Sequence, residues 1–186
     1  MKKLTRSSKE TQVVVVVESM SAAGLANATV NTPLPFFDHM LSTLLRYAGI
    51  AATVEAQGDL SHHIMEDVAI TTGRALRSSL PAALARYGDK TVPMDDALVQ
   101  ATIDVGGRFY FEGELPKRVH THVLRSCAEA LGATLHLRVH RGRDRHHLIE
   151  AGYKSVGLAL REALRATGEG IFSSKGSVVF VEEELP

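Results

Sequence analysis

Two kinds of hydrophobic pattern alternate along the chain. Short Val-rich or alternating segments predict strands, and longer segments with apolar residues three and four apart predict helices. The first half has strand patterns at residues 11–18, 28–31 and 50–57 and helix patterns at 37–47 and 65–80. The second half has strand patterns at 97–105, 109–112 and 134–139 and helix patterns at 121–131 and 148–166, and a last edge strand is predicted at 178–181.

The predicted elements follow the same order in both halves. Each half is predicted to be β-β-α-β-α, and an internal duplication is the simplest explanation. The expected fold class is therefore α+β with duplicated halves. The repeats would cover about residues 10–90 and 95–180 of a single domain that spans residues 1–186.

A polar motif is also repeated, at equivalent places in the two halves. Residues 58–66 and 142–150 both run Gly, three residues, His-His, two residues, Glu, and they lie 84 positions apart. A further histidine precedes each copy, at 39 and at 122. The single histidines are predicted to open the first helix of each half, and the His-His pairs the second. Eight residues therefore form two matching sets of possible metal ligands: His39, His62, His63 and Glu66, and His122, His146, His147 and Glu150.

The spacing of these residues favours two metal ions. On a helix the Glu can share a face with either histidine of its pair, because their separations are four and three residues. Adjacent histidines point about 100° apart, so one pair suits two ions better than one. Three His and one Glu for each ion leave open positions, as catalysis requires. Imidazole and carboxylate ligands without thiolate suit Mn, Fe, Zn or Ni.

Bulk composition excludes several classes of function. Lys+Arg and Asp+Glu both total 21 among 186 residues, so no global positive field favours nucleic acid or an anionic membrane surface. No segment approaches the roughly 20 apolar residues of a membrane span. The single Cys127 excludes an intrachain disulfide and fits a cytoplasmic location. The other three histidines, His120, His136 and His140, have no counterparts in the repeat, and we expect them to be solvated or to lie on a strand surface.

Several longer motifs resemble one family. They appear in family order over nearly the whole chain and comprise residues 36–41, the first His-His-x-x-Glu-Asp, residues 93–98, Gly107-Arg108, the second His-His-x-x-Glu with Tyr153-Lys154, and residues 173–176. The chain is similar to imidazoleglycerol-phosphate dehydratase of histidine biosynthesis. The resemblance implies a fold similar to the second domain of ribosomal protein S5, and a 24-subunit homo-oligomer with metal sites between subunits. It also implies two Mn2+ per subunit, and loss of water from imidazole glycerol phosphate to give imidazole acetol phosphate.

The resemblance also implies roles for individual residues. The eight repeated residues would bind the metal ions. Glu10, which lies in an Arg-x-x-x-Glu-Thr pattern with Arg6 and Thr11, joins Glu66 and Glu150 as a candidate base. Lys154 would lie near the substrate hydroxyls. The phosphate would be bound by Arg86, Arg108, Ser173 and Lys175.

The chain departs from the family pattern before the first His-His pair. Only Leu60 and Ser61 separate Asp59 from His62, two residues fewer than the family usually has. We therefore expect the short loop to affect the position of His62 more than that of the other predicted ligands. Two rival hypotheses follow. The chain could be a divergent paralogue that acts on another phosphorylated imidazole or polyol, or its metals could merely staple an assembly without catalysis.

Overall fold

The computed structural model of the protein describes residues 1–21 and 23–168. The predicted strand at 178–181 and the predicted phosphate ligands Ser173 and Lys175 lie outside these residues. None of the helices in this part of the chain is both long and apolar enough to cross a membrane.

The first half folds as a four-stranded sheet with two helices. In chain order it contains β1 (Lys2–Ser7), β2 (Thr11–Met20), β3 (Ala28–Asn31), α1 (Pro35–Tyr47), β4 (Ile50–Gly58) and α2 (Ser61–Ser78). The strand order is β1-β2-β4-β3; β1 and β4 are antiparallel to β2, and β3 is parallel to β4.

The second half repeats this topology. It contains β5 (Tyr87–Met94), β6 (Ala97–Val105), β7 (Tyr110–Glu112), α3 (Arg118–Leu131), β8 (Ala133–Arg141) and α4 (Arg145–Ala163). The strand order β5-β6-β8-β7 and the directions of pairing match those of the first sheet. The predicted α+β class and the duplication are therefore confirmed.

Each half contains one strand more than its predicted β-β-α-β-α order. The additional strands, β1 and β5, form the outer edge of each sheet and so bury few side chains. In β5 only Gly88 and Val92 are buried, and Pro93 lies within the strand, which an edge strand tolerates. The second helix of each half begins before its apolar pattern does, and both His-His pairs lie in its first turn, as predicted.

The elements stack in four layers. α1 and α2 pack on the first sheet and α3 and α4 on the second, while α1 packs against α4 and α2 against α3. The buried apolar side chains of both halves form one continuous cluster between the sheets. Each pair of packed helices therefore joins the first half to the second.

All four helices begin at the same end of the molecule. The Phe36 ring at the start of α1 lies 5.4 Å from the His120 ring of α3 and 5.5 Å from the His146 ring of α4. His122 of α3 contacts Glu66 of α2 at 3.2 Å. The repeated histidines and glutamates consequently gather at one end of the helical layers.

Candidate metal and active site

Three of the predicted ligands from two different halves form a compact group. The ligand atoms of His39 on α1 and of His146 and Glu150 on α4 all lie within 4.8 Å of one another, which makes them the one such group of three among the described residues. The Glu150 Oε2 atom is 2.9 Å from Nε2 of His146 and 3.6 Å from Nε2 of His39. On α4 the Glu therefore shares a face with the first histidine of its pair, at spacing i,i+4.

Lys154 keeps the central carboxylate ionised. Its Nζ atom lies 2.9 Å from Oε1 of Glu150, one helical turn further along α4. Burial acts to raise the pKa of Glu150, but the hydrogen bonds from Lys154 and His146 outweigh it, and the pKa is lowered. A buried anionic carboxylate beside two imidazoles is a ligand set that fits a divalent cation. Lys154 thus contacts a ligand, and its predicted place near the substrate hydroxyls stays a prediction.

The equivalent group in the other pair of helices is less complete. His122 Nε2 on α3 lies 3.2 Å from Glu66 Oε1 on α2. His62 does not join them in a group of three within 4.8 Å; its ring packs instead against that of His63, with the centroids 4.2 Å apart. The side chain of Glu66 is 40% exposed, against 10% for Glu150. These two residues, one from each predicted set, therefore form only part of a second ligand group.

The second histidine of each pair points away from these groups and is held by carboxylates. His63 Nδ1 donates to Asp59 Oδ1 at 2.9 Å and lies 3.8 Å from Oε2 of Glu10. The hydrogen bond with Asp59 raises the pKa of His63 and lowers that of Asp59. Carboxylates that bond one ring nitrogen orient the other nitrogen toward a ligand.

His147 is also held by carboxylates, but one lies at each ring nitrogen and both come from a different element. His147 Nδ1 donates to Asp96 Oδ1 at 2.8 Å, and its Nε2 lies 3.3 Å from Asp95 Oδ2. Both aspartates form the two-residue turn between β5 and β6, where Asp95 adopts a φ of 48°. The hydrogen bond from His147, together with backbone N–H groups of Arg143 and Asp144, lowers the pKa of Asp96 to about 2.

The glycine of each motif copy permits a close approach of the following helix. A Cβ atom on Gly58 would lie 2.8 Å from Cγ1 of Ile64, and one on Gly142 would lie 2.5 Å from Cδ2 of Leu148. Ile64 and Leu148 hold equivalent positions just after the His-His pairs. Both motif copies thus need a glycine so that the residue after the His-His pair can pack against the end of the preceding strand.

The two motif copies differ in how the following helix begins. The Asp144 carboxylate caps α4 by accepting from the backbone N–H groups of His146 and His147. At the matching place α2 has Leu60, which provides no side-chain cap. Asp59 instead accepts from the Leu60 N–H at 2.7 Å while it binds His63. The Asp59 carboxylate thus holds both the backbone at the start of α2 and the ring of His63. The first turn of α2 and the position of His62 therefore depend on Asp59.

The N-terminal Arg-x-x-x-Glu-Thr pattern supports α2. Arg6 Nη2 lies 2.8 Å from Oδ1 of Asp67, and the Thr11 hydroxyl donates to the other oxygen of that carboxylate. Asp67 is buried and directly follows Glu66. These contacts hold β1 and β2 against α2, and Glu10, between them, is carried to His63.

The predicted phosphate ligands within the described residues lie elsewhere. Arg86 makes a bidentate ion pair with Asp104, with Nε to Oδ1 at 2.6 Å and Nη2 to Oδ2 at 3.0 Å. Its backbone N–H donates to Ala163 at the end of α4. Arg108 is exposed. It lies close to Arg86 in space, because a Cβ atom on the adjacent Gly107 would be 3.4 Å from Nη2 of Arg86. At 1.5 Å of rise per residue, about 25 Å of α4 separates this region from His146.

One of the three remaining histidines is not where we expected it. His120 is buried in α3, with Nδ1 at 3.1 Å from the Tyr153 hydroxyl, so its prediction as a solvated or strand-surface residue is wrong. Burial, with a smaller effect of the nearby Lys117 charge, lowers its pKa to about 4. His136 and His140 are exposed on β8, as predicted.

Several residues that contact predicted ligands have no role predicted from the sequence: Asp59, Asp95, Asp96 and Phe36. Tyr153, which bonds to His120 behind Phe36, has none either. The pair Asp95-Asp96 between two strand patterns is typical of a hairpin turn, but the strand before it was not predicted. The contacts of Phe36 and Tyr153 depend on the packing of α1, α3 and α4, and no local pattern reveals them.

Comparisons with known proteins identify the family of this chain. A family model described as imidazoleglycerol-phosphate dehydratase matches residues 32–160. The protein of that name from Metallosphaera sedula is 41% identical over 93% of this chain and 96% of its own length. Its counterpart from Pyrobaculum aerophilum is 43% identical over 90% of this chain and 96% of its own length. The crystal structure of the Pyrococcus furiosus dehydratase superimposes with a TM-score of 0.83 at 33% identity and covers 94% of this chain and 100% of its own.

Fold, site and relatives together define the class of this protein as a lyase with a duplicated α+β fold. The family is that of the imidazoleglycerol-phosphate dehydratases, to which the chain belongs.

Proposed function

We propose that this chain removes water from imidazole glycerol phosphate to give imidazole acetol phosphate, at a site that holds two divalent metal ions, manganese by preference. The observation that carries the metal part of the proposal is the His39–His146–Glu150 group, in which three ligand atoms converge within 4.8 Å. A bound divalent ion would supply Lewis acidity to the imidazole ring of the substrate. The paired helices present this group with its carboxylate already ionised.

The reaction requires a base, because no carbonyl group acidifies the carbon that loses its proton. One hydroxyl-bearing carbon loses a proton, the neighbouring carbon attached to the ring loses hydroxide, and the resulting enol becomes the ketone. Glu150 suits this proton transfer poorly because it is buried and bonded to Lys154 and His146. Glu10 is better placed: its exposed carboxylate lies 3.8 Å from the His63 ring at the same end of the molecule. We therefore assign the base to Glu10, with Glu66 and Glu150 as ligands.

We propose that each complete site is shared between copies of the chain. His63 and His147 point away from the ligand groups of their own chain and are held by aspartates. We infer that each supplies the third histidine of a group on a second copy, and that the Nε2 atom of His147 exchanges its contact with Asp95 for the metal ion. The predicted phosphate ligands Arg86 and Arg108 lie about 25 Å of helix away from His146, so in this proposal they reach the site from a second copy. A homo-oligomer, with 24 subunits as the family resemblance implies, meets both requirements.

The proposal is tested by substituting the central carboxylate. We expect Glu150→Gln to lower kcat by at least about a hundredfold while the assembly, measured by light scattering, persists. The matched control is Glu18→Gln, an exposed carboxylate on β2 that contacts Thr53 and none of the predicted ligands; it should retain activity.

The same assay separates the rival hypotheses. Absence of turnover of imidazole glycerol phosphate by the manganese-loaded wild type would contradict the proposed substrate. Turnover of another phosphorylated imidazole or polyol instead would identify a paralogue. Loss of the assembly in Glu150→Gln, from a wild type that is inactive on every such substrate, would favour metals that only staple subunits.

A further inference from the structure

The two ligand groups of this chain differ in their surroundings, although the motifs that supply them are the same. The Phe36 ring lies 5.5 Å from the His146 ring, at a tilt of 58°, and packs edge-on against the His120 ring at 5.4 Å. It therefore fills the space between a predicted ligand and the buried start of α3. Phe36 is partly buried, and the Lys117 ammonium lies 5.3 Å above its ring.

The support behind Phe36 is itself fixed. His120 is buried and shares a 3.1 Å hydrogen bond with the hydroxyl of Tyr153, whose ring is fully buried on α4. The His120 and Tyr153 rings meet at 80° with their centroids 5.7 Å apart. A row of contacting rings, packed edge to face or tilted, thus runs from the core of the molecule through Phe36 to His146. Glu150 on the same face is held separately by Lys154.

The other group has none of these supports. The repeat places His39 opposite His122 and His146 opposite His62, so the counterparts of Phe36 and Lys154 are Val119 and Ile70. His120 and Tyr153 correspond to Phe37 and Ala69, which cannot make the equivalent hydrogen bond. A valine side chain offers no ring face to an imidazole, and an isoleucine cannot bind a carboxylate. In agreement, Glu66 is four times as exposed as Glu150, at 40% against 10%.

We propose that Phe36 is a positioning residue for His146, and that it gives the His39–His146–Glu150 group a higher metal affinity than the Glu66–His122 group. The inference rests on the proposed dimetal function. Side chains that are held in the binding geometry lose less conformational freedom when they bind, so affinity rises without any new ligand. Supports behind a ligand typically change metal affinity by about 10- to 100-fold. The two ions of one site would therefore load in order, the first on the Phe36 side.

The test is a titration of the metal-free protein with Mn2+, followed by the electron paramagnetic resonance signal of the free ion. We expect two classes of site of equal number, with dissociation constants at least about tenfold apart. Phe36→Leu should weaken the tighter class by about tenfold and leave the weaker class unchanged. Phe36→Tyr, which keeps the ring, should restore it. The matched control is Val119→Leu at the equivalent position, which should leave the tighter class intact.

Each contrary result has its own meaning. A single class of site in the wild type, with one dissociation constant for both ions, would overturn the inference and leave the proposed function standing. An unchanged tighter class in Phe36→Leu, or an equal loss from both classes in a variant that keeps its circular dichroism and assembly, would also overturn it. Failure of the wild type to bind any Mn2+ would overturn the dimetal function itself.

Discussion

Individual side chains in this protein owe their properties to a few specific neighbours. Asp96 shows this clearly: its pKa is lowered to about 2 because His147 and two backbone N–H groups donate to it. Glu150 is buried and ionised because Lys154 lies one turn away. Neither environment follows from the residue type. The sequence therefore predicts candidate ligands, whereas only the folded chain shows which carboxylates contact them.

A prediction at this scale concerns Cys127. Cys127 as a residue is only partly buried, but burial of its thiol raises the pKa of that group to about 12, and the thiolate is the reactive form. At pH 8 we expect a thiol-specific chromogenic reagent to label the native protein at least about a hundredfold more slowly than an exposed cysteine. The same sample unfolded in guanidinium is the control and should react at once. Equal rates in the native and unfolded states would contradict the prediction.

At the scale of elements, strongly patterned segments were predictable and weakly patterned ones were not. β3 and β6 have the bounds that their sequences predict, since alternation or β-branched residues mark them clearly. β1 has only Leu4 and Arg6 partly buried, so its sequence lacks the alternation of a strand with one buried face. The polar Ser-His-His start of α2 likewise has no helical pattern, although it lies within the first helical turn.

Equivalent glycines set the distance between the paired helices. A Cβ atom on Gly73 of α2 would lie 2.4 Å from the carbonyl oxygen of Cys127 on α3, and one on Gly157 of α4 would lie 2.6 Å from that of Leu44 on α1. These contacts involve backbone atoms, which cannot rotate away. They determine how closely the ligands on the two helices of each pair approach one another.

We therefore expect Gly157→Ala to destabilise the protein although alanine favours helices. The added methyl group should push α1 and α4 apart and lower the free energy of unfolding by about 2 kcal/mol, measured in denaturant at a fixed protein concentration. Gly73→Ala should have a similar effect. The control, Arg74→Ala at an exposed position of α2, should change the value by less than about 0.5 kcal/mol. A Gly157→Ala variant as stable as the wild type would show that the helices can separate freely.

At the scale of the whole molecule, the ligand groups and the predicted phosphate ligands are at opposite ends. The helices all begin at the end that carries the histidines. Arg86 lies at the other end, beside the last turn of α4, where its backbone N–H donates to Ala163. The sequence repeat predicted which residues would be equivalent, but not that each ligand group would combine residues from both halves. That combination depends on how α1 packs against α4 and α2 against α3, which no periodicity encodes.

Sharing of sites between copies leads to a prediction about mixed assemblies. Arg108→Ala and Glu150→Gln should each be inactive alone, since one lacks a phosphate ligand and the other a metal ligand. When the two variants are co-expressed in equal amounts, about one quarter of the sites should recover, because each of two contributing copies is intact with a probability of about one half. Activity per mole of assembly measures the recovery.

The matched control for this mixing combines two variants of a single group. His39→Ala and Glu150→Gln damage ligands that meet within one chain, so their mixture should stay inactive. Recovery in the control, or its absence in the first mixture, would mean that complete sites do not combine residues in the proposed way.

The pairing of ligands across the two halves also bears on how such a chain could arise. His39 belongs to the first repeat and meets Glu150 of the second, and Glu66 of the first meets His122 of the second. A protein of half this length would hold its histidine on one helix and its glutamate on the other, without the partner that each contacts here. It could bring them together only by pairing with an identical copy about a twofold axis. Gene fusion would then join the two subunits of an existing dimer. After fusion the two halves could differ in sequence, so that Phe36 and Lys154 could arise beside one ligand group alone.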